Sequence, residues 1–431
     1  MKFIIWGLGA VGTSFLNILK ENSYFDSTSF YCIDYSFKAK ERFLLLGGKE
    51  ENFILDKINK ENIKDYLSQL KEGDYLFDFT IDVKNLDVLT YCLENNIHYL
   101  STADSSYNPD PSWTSVHQHY LEYKKLKERF KAKQNTCLVE FGMNPGMVSC
   151  FAKQCLKEIV LKDNSLYIKS HRKYLLNLLS KKQFGLVAKK LKVTDIQEVD
   201  NDNQEVSIPY DKNTCYSPWN VLGYYFETVS SPELAIGNKK TFYSFKNIYD
   251  CDSTDFTIIL KNEGYKYKVN TFSTQGNVTG HISTHEEIFT IRDLFTYKKY
   301  KPNVHFVYSP CDYAIKSVKE KDIKSNYLIE KKDIINGGES VGVIIQGKRF
   351  HTYYFGNFLD TTKINETATI LQVSSSTYAG FIYMMHHPKD GLLFPEDVNE
   401  DEILSIAKPY LKEYTSTKCK KQKMTLGKDL K

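Results

Sequence analysis

The chain has 431 residues, 42% apolar and 26% charged, and no apolar run long enough to span a bilayer, which excludes a membrane span and wholesale disorder and leaves room for one large or two ordinary domains. Its 57 Lys plus Arg nearly balance 53 Asp plus Glu, and six lysines crowd into Thr415 to Lys431. The rest of the chain therefore offers no basic face for a phosphate backbone, and nucleic acid is set aside as a partner. Nine Cys fall in no C-x-x-C pair and no zinc-type spacing, which argues against a disulfide framework or a metal site and for a reducing cytoplasm.

Phe3-Ile4-Ile5-Trp6 reads as a short buried strand, and Phe15, Leu16, Ile18 and Leu19 follow at helical spacing. The glycines that interrupt this apolar start argue against a signal peptide. Between strand and helix stands Gly7-Leu8-Gly9-Ala10-Val11-Gly12, a G-x-G-x-x-G turn. Its first glycine turns the chain, its second admits a pyrophosphate against the backbone, and its third lets helix and strand pack closely. Free amides at the helix start, over Ala10 and Val11, attract the phosphates. A second strand, Ser29 to Ile33, ends at Asp34, 22 residues beyond Gly12. A carboxylate there hydrogen-bonds a ribose 2′-hydroxyl and repels a 2′-phosphate, so NAD is expected over NADP, with Lys38 and Lys40 nearby as the opposing signal.

Alternation continues with a strand at Asp74 to Thr80, a helix at Leu86 to Leu93 and a strand at Ile97 to Leu100, which predicts βαβ units and a parallel sheet. The strand ends at Thr80 to Asp82 and Ser101 to Asp104 fall on the carboxyl edge where doubly wound sheets bind ligands. Thr80, Thr102, Asp82 and Asp104 become pocket candidates, although each Asp alone can equally cap a turn. A long polar helix, Trp113 to Lys133, leads to a strand at Thr136 to Phe141 and to the loop Gly142-Met143-Asn144-Pro145-Gly146-Met147-Val148-Ser149. Asn144, held extended before Pro145, is placed to present its amide to a cofactor; by spacing alone the loop could be only a strand-to-helix turn.

Beyond residue 150, alternating stretches at Phe256 to Leu260 and Tyr265 to Phe272 suggest an antiparallel sheet with helices, and Lys190 to Asp211 reads as a polar surface excursion. Thr284-His285-Glu286-Glu287 follows a strand at Val278 to Ser283; if extended, it puts His285 and Glu287 on one face. Spacing alone would equally give a packed histidine and a capping carboxylate. Ala368 to Met385 is a long apolar helix whose Ser374-Ser375-Ser376 suggests close packing against the first domain.

The expected architecture is thus α/β: a Rossmann-type doubly wound domain, 1–143, completed by a helical segment, 366–412; a second α+β domain, 144–365, for substrate and dimerisation; and a basic flexible tail, 415–431. The glycine motif, the Asn144-Pro145-Gly146 loop, His285-Glu286-Glu287, Pro302-Asn303-Val304-His305 with Pro310-Cys311-Asp312, and Thr369-Ile370-Leu371-Gln372-Val373 together resemble bacterial homospermidine synthase, in the saccharopine-dehydrogenase-like group, over nearly the whole chain. The resemblance implies a homodimeric, NAD-dependent aminobutyltransferase of polyamine biosynthesis. Such an enzyme oxidises putrescine to an imine, exchanges ammonia for a second amine and reduces the new imine.

A diamine carries two ammonium groups, so its pocket needs carboxylates, for which Asp82, Asp104, Glu227 and Glu287 are candidates. His285 is the candidate for proton transfer and Asn144 for orienting the amine or nicotinamide. The cofactor set is Gly7, Gly9, Ala10, Val11, Gly12, Asp34, Thr80, Thr102, Asn144 and Pro145. By resemblance, Asp104 stands where the family has Glu, Ile236 where it has a tryptophan facing the amine cation, and Lys240 where it has Glu. A different substrate would suit these departures: a saccharopine- or carboxyspermidine-type oxidoreductase that reductively couples an amine and a carbonyl compound, with Lys239 and Lys240 on a carboxylate. A nucleotide-binding protein without turnover is the third reading.

Overall fold

The structure, a computed structural model, describes residues 1–81, 83–102, 115–132, 134–238, 248–252, 256–320 and 322–422. Asp82, Asp104, Lys239 and Lys240 lie outside the described residues. The chain divides into two compact units, the first formed by 1–114, 118–147 and 370–410, the second by 115–117, 148–369 and 411–431.

In the first unit, strands β1 (Phe3–Trp6), β2 (Phe30–Asp34), β3 (Phe53–Leu55), β4 (Tyr75–Asp78), β5 (His98–Ser101) and β6 (Thr136–Leu138) alternate with helices. They lie in the order β6-β5-β4-β1-β2-β3, with Gly391–Leu393 added beside β6, and every pairing is parallel. This is the doubly wound order, with β1 and β4 meeting where the strand order reverses. All four residues of β1 and of β4 are buried, as strands covered on both faces require. Trp6, Leu76, Leu89, Tyr99 and Val139 belong to one apolar cluster of this unit. The helix Ala368–His386, from Ile370 on, lies in the first unit and its small residues permit close approach. Ser374 and Ser14 share a buried hydrogen bond of 2.8 Å, Thr377 donates to the Phe141 carbonyl at 3.2 Å, and the Phe381 ring meets those of Phe3, Phe15 and Phe77.

The second unit is built on one large sheet whose main path runs Ile248–Asp252, Thr257–Leu260, Glu233–Ala235, Asn303–Ser309, Val193–Asp202, Gly338–Gly347, Tyr353–Asn357 and Tyr414–Lys418. The hairpin Lys268–Ser273 and Gly276–Ser283 joins it through Asn303–Ser309. The sheet is mixed rather than antiparallel throughout, because Asn303–Ser309 runs parallel to Val193–Asp202.

Two further expectations change. The stretch from Lys190, read as a surface excursion, contains the central strand Val193–Asp202, buried over its whole length. Its polar residues point into the unit, so polarity did not mean exposure. The first residues of the expected flexible tail form the strand Tyr414–Lys418, paired in register with Tyr353–Asn357. Among the described residues no helix is long and apolar enough to cross a membrane.

Candidate dinucleotide and acid-base sites

In the first unit the three glycines of the first loop meet three different demands. Gly7 has φ +84°, a turn conformation that favours glycine, and a Cβ there would lie 3.0 Å from the Phe79 carbonyl oxygen. A Cβ on Gly12 would lie 2.5 Å from the Gly7 carbonyl oxygen, so helix Ala10–Glu21 (α1) can start this close to β1 only with glycine. At Gly9 a Cβ would meet nothing within 4 Å, which is open space beside the helix N-terminus. That terminus has no side-chain cap and no acidic residue in its first turn, where Ala10 and Val11 stand. Its free amides and positive dipole end suit an anion, and a dinucleotide pyrophosphate fits the opening at Gly9.

Asp34, buried at the end of β2, accepts the Leu8 N–H on Oδ2 at 2.6 Å and the Ser36 N–H on Oδ1 at 2.8 Å. Each oxygen keeps a further lone pair for a ribose hydroxyl. Lys40, one of the two lysines that weakened the expectation of NAD, is engaged by Glu50 at 2.7 Å. Thr80 donates its backbone N–H and its hydroxyl to Asp78 Oδ1, at 3.1 and 2.6 Å, which fixes the turn after β4. The Asn144 loop closes on itself: Gly142 N–H donates to the Pro145 carbonyl at 2.9 Å and Met147 N–H to the Gly142 carbonyl at 3.0 Å. The Asn144–Pro145 peptide is cis, and Gly146, at φ +127°, has no room for a Cβ against Gly142. Thr102 adjoins this loop through its carbonyl, 3.3 Å from where a Gly142 Cβ would stand.

In the second unit, His285 and Glu287 meet, but through a turn rather than an extended segment. Strand Gly276–Ser283 ends, His285 follows, and Glu287 opens the helix Glu287–Leu294, where a carboxylate is favoured by the dipole. His285 Nδ1 lies 3.0 and 2.9 Å from the two Glu287 oxygens, and its Nε2 lies 3.6 Å from Glu227 Oε1. Glu227 comes from helix Val221–Val229, whose start is fixed by Asn220 accepting the Gly223 N–H. The Ser283 hydroxyl lies 3.0 Å from Glu227 Oε1 and 3.1 Å from its backbone oxygen, sharing its proton between them. Burial acts to lower the His285 pKa, but the charges of Glu287 and Glu227 and their hydrogen bonds outweigh it and hold the imidazole well above its ordinary value. The two carboxylates on either side of the ring therefore favour its charged form, where an isolated histidine would titrate near neutrality. His285, Glu286 and Glu287 also place ligand atoms within 4.8 Å of one another.

The His285 ring packs on Phe306 at 4.5 Å between centroids, and Phe306 belongs to a sheet face that sequence reading missed. Along Val193–Asp202 the acids Glu198, Asp200 and Asp202 recur at every second position and share one face. Register pairs Phe306 with Glu198, Tyr308 with Asp200 and Glu339 with Asp202, so all six residues lie on that face. Burial pushes Asp202 up to about 6, and burial together with Asp200 and Asp202 pushes Glu339 well above the carboxylate range. The buried Tyr308 Oη finds no hydrogen-bond partner among the described residues, an orphan that a polar ligand would satisfy. The signal was present in the sequence as acids at every second position, Glu198, Asp200 and Asp202.

Ile236 is not brought to this face. Its side chain is buried in an apolar cluster with Leu234, Ile258, Leu260, Tyr267 and Val307, so its assignment to substrate binding is corrected to a core position.

The family model of the saccharopine dehydrogenase NADP binding domain matches residues 3–138. Over 435 residues the chain is 24% identical to the homospermidine synthase of Blastochloris viridis, covering 95% of this chain and 89% of that protein. It is 21% identical over 436 residues to the homospermidine synthase of Mesorhizobium japonicum, with 95% and 88% covered. Among solved structures, the homospermidine synthase of Legionella pneumophila in complex with NAD matches with a TM-score of 0.83 at 24% identity, covering 97% of this chain and 91% of that one. Saccharopine dehydrogenase (L-Glu forming) from Saccharomyces cerevisiae matches at 0.54 with 10% identity, covering 96% and 99%. The resemblance carried by the motifs is borne out, and the fold is that of the saccharopine-dehydrogenase-like group.

Proposed function

We propose that this chain is an NAD-dependent homospermidine synthase-type aminobutyltransferase, a cytoplasmic homodimer that joins two putrescines with release of ammonia. The observation that carries the reading is the His285 clamp beside a buried, acid-lined sheet face. A diamine brings two positive charges, and buried carboxylates are favourable partners for its ammonium groups, as burial already favours the protonated form of Asp202 and Glu339. Glu198, Asp200, Asp202 and Glu339 supply that face, and Glu227 and Glu287 supply charge at the acid-base group.

The glycine loop, residues 7–12, and Asp34 would hold NAD, which would supply reversible hydride transfer. The first putrescine becomes an imine, the second adds its neutral amine to the imine carbon, and ammonia leaves. Reduction of the new imine gives homospermidine, so two putrescines yield one homospermidine and one ammonia with no net redox change. His285 begins as a proton donor, which suits protonation of the departing ammonia; the imidazole left behind then takes the proton of the attacking amine. Glu287, on Nδ1, fixes the ring and stabilises the charged form.

The test is mass analysis of products from purified protein, putrescine and substoichiometric NAD. Homospermidine in excess over NAD supports the transferase reading. Stoichiometric consumption of NADH with an amine and a carbonyl substrate, and no homospermidine from putrescine alone, would replace it with an oxidoreductase.

A further inference from the structure

Two residues of opposite charge hold the backbone of a single residue in the glycine loop. Leu8 donates its N–H to Asp34 Oδ2 at 2.6 Å, and its carbonyl accepts from Arg42 Nη2 at 2.6 Å. Arg42, on helix Phe37–Leu45, also donates from Nε to Thr13 Oγ1 at 3.1 Å, which ties its guanidinium to the first turn of α1. The fork is thus fixed on two sides before any ligand arrives. Asp34 is fixed likewise, by the Leu8 and Ser36 amides.

A dinucleotide seated on this loop brings its adenosine 2′ position to the Asp34 carboxylate. A 2′-phosphate there meets a negative charge, while a guanidinium is bonded to the same residue, Leu8, that Asp34 holds. Guanidinium is the cation best shaped for phosphate, with several donors in a rigid fork. Lys40 is engaged by Glu50 and Lys38 is exposed to solvent, so Arg42 is the cation already oriented toward this turn.

We propose that Arg42 is the specificity-determining counterpart of Asp34: Asp34 sets the preference for NAD, and Arg42 is the preformed partner of a 2′-phosphate once the Asp34 charge is removed. The proposal rests on reading the first unit as a dinucleotide site and deepens it.

Dissociation constants for NAD and NADP, measured by calorimetry on the full chain, test it in the wild type, Asp34→Asn, Arg42→Ala and the double variant. Asn at 34 keeps one acceptor oxygen, for one of the two loop amides, while losing the charge. Asp34→Asn is expected to bind NADP on the order of tenfold more tightly than the wild type does, a gain of the size one charge-assisted contact allows. Adding Arg42→Ala is expected to erase that gain. Arg42→Ala alone is expected to weaken both dinucleotides by a similar factor, through loss of the Leu8 carbonyl anchor. Equal NADP affinity in Asp34→Asn and the double variant overturns the proposal and leaves Arg42 as a loop anchor. A wild type that binds neither dinucleotide, while its melting curve shows it folded, overturns the dinucleotide reading and the proposal with it.

Discussion

His285 shows how far a single residue can be read in isolation. Its identity and its distance along the chain from Glu287 suggested proton transfer at near-neutral pKa; the fold adds Glu227 on the far side of the ring, from a helix more than fifty residues away, and Glu287 and Glu227 together raise the imidazole pKa. Because the folded pKa is raised, the proton on His285 contributes stability that is fully present below the ordinary value of 6.5 and is lost as pH rises through the raised one. The imidazole is expected to be protonated at pH 7 by nitrogen NMR, and Glu287→Gln to shift its titration downward. A neutral ring at pH 7 in the wild type would remove the clamp. His285→Ala is expected to lower turnover by about 10²- to 10⁴-fold, the usual share of a general acid-base group, while dinucleotide affinity stays unchanged in a binding titration. Ile236 carries the opposite lesson. By resemblance Ile236 stands where the family has a tryptophan facing the amine cation, but the Ile236 side chain sits in an apolar core cluster, so Ile236→Trp is expected to cost about 1–3 kcal/mol of stability through overpacking. A rise in diamine affinity with an unchanged melting temperature would refute the core assignment.

At the scale of elements, the glycine loop was legible because each glycine answers a local steric demand, and local demands are written in adjacent residues. The demands are separable by experiment. Gly12→Ala forces a methyl against the Gly7 carbonyl oxygen at 2.5 Å, so the first unit is expected to be destabilised with or without ligand. Gly9→Ala adds a methyl to open space at φ −70°, so thermal stability is expected to hold while NAD affinity falls. Two variants that melt alike would mean that the loop does not have this division of roles. The strand Val193–Asp202 was not legible in the same way, because acids at every second position, with only Val199 and Asn201 between them, are the pattern of an exposed segment, and only pairing on both edges buries it. Tyr414–Lys418 was missed for a related reason: its polar residues gain their place from backbone pairing with Tyr353–Asn357, which leaves no mark in side-chain hydrophobicity. What the sequence conveys well is therefore what neighbouring residues decide, and the acid face is decided by strands more than a hundred residues apart.

For the molecule as a whole, that face makes stability depend on pH through groups of opposite sign. Burial pushes Asp202 up to about 6 from 3.8, so its contribution is fully present below 3.8 and is lost as pH rises through about 6. Burial pushes His305 down to about 3 from 6.5, so its contribution is fully present above 6.5 and is lost as pH falls toward 3. His305 stands opposite Gln197 in the parallel pair, its Nε2 3.0 Å from the Gln197 amide nitrogen, on the other face of the strand that carries Asp202. Two paired strands thus carry the two responses on opposite faces of the sheet, and in the wild type they offset each other across mildly acidic pH. Substitution separates them. Relative to the wild type, Asp202→Asn is expected to gain in melting temperature as pH rises from about 4 to 6, and His305→Gln to gain as pH falls below 6.5. Thermal unfolding of the three proteins from pH 4 to 7.5 provides the check. Curves that stay parallel to the wild type would mean that these groups titrate alike in the folded and unfolded chains, and the proposal that this sheet receives ammonium groups would lose its electrostatic support.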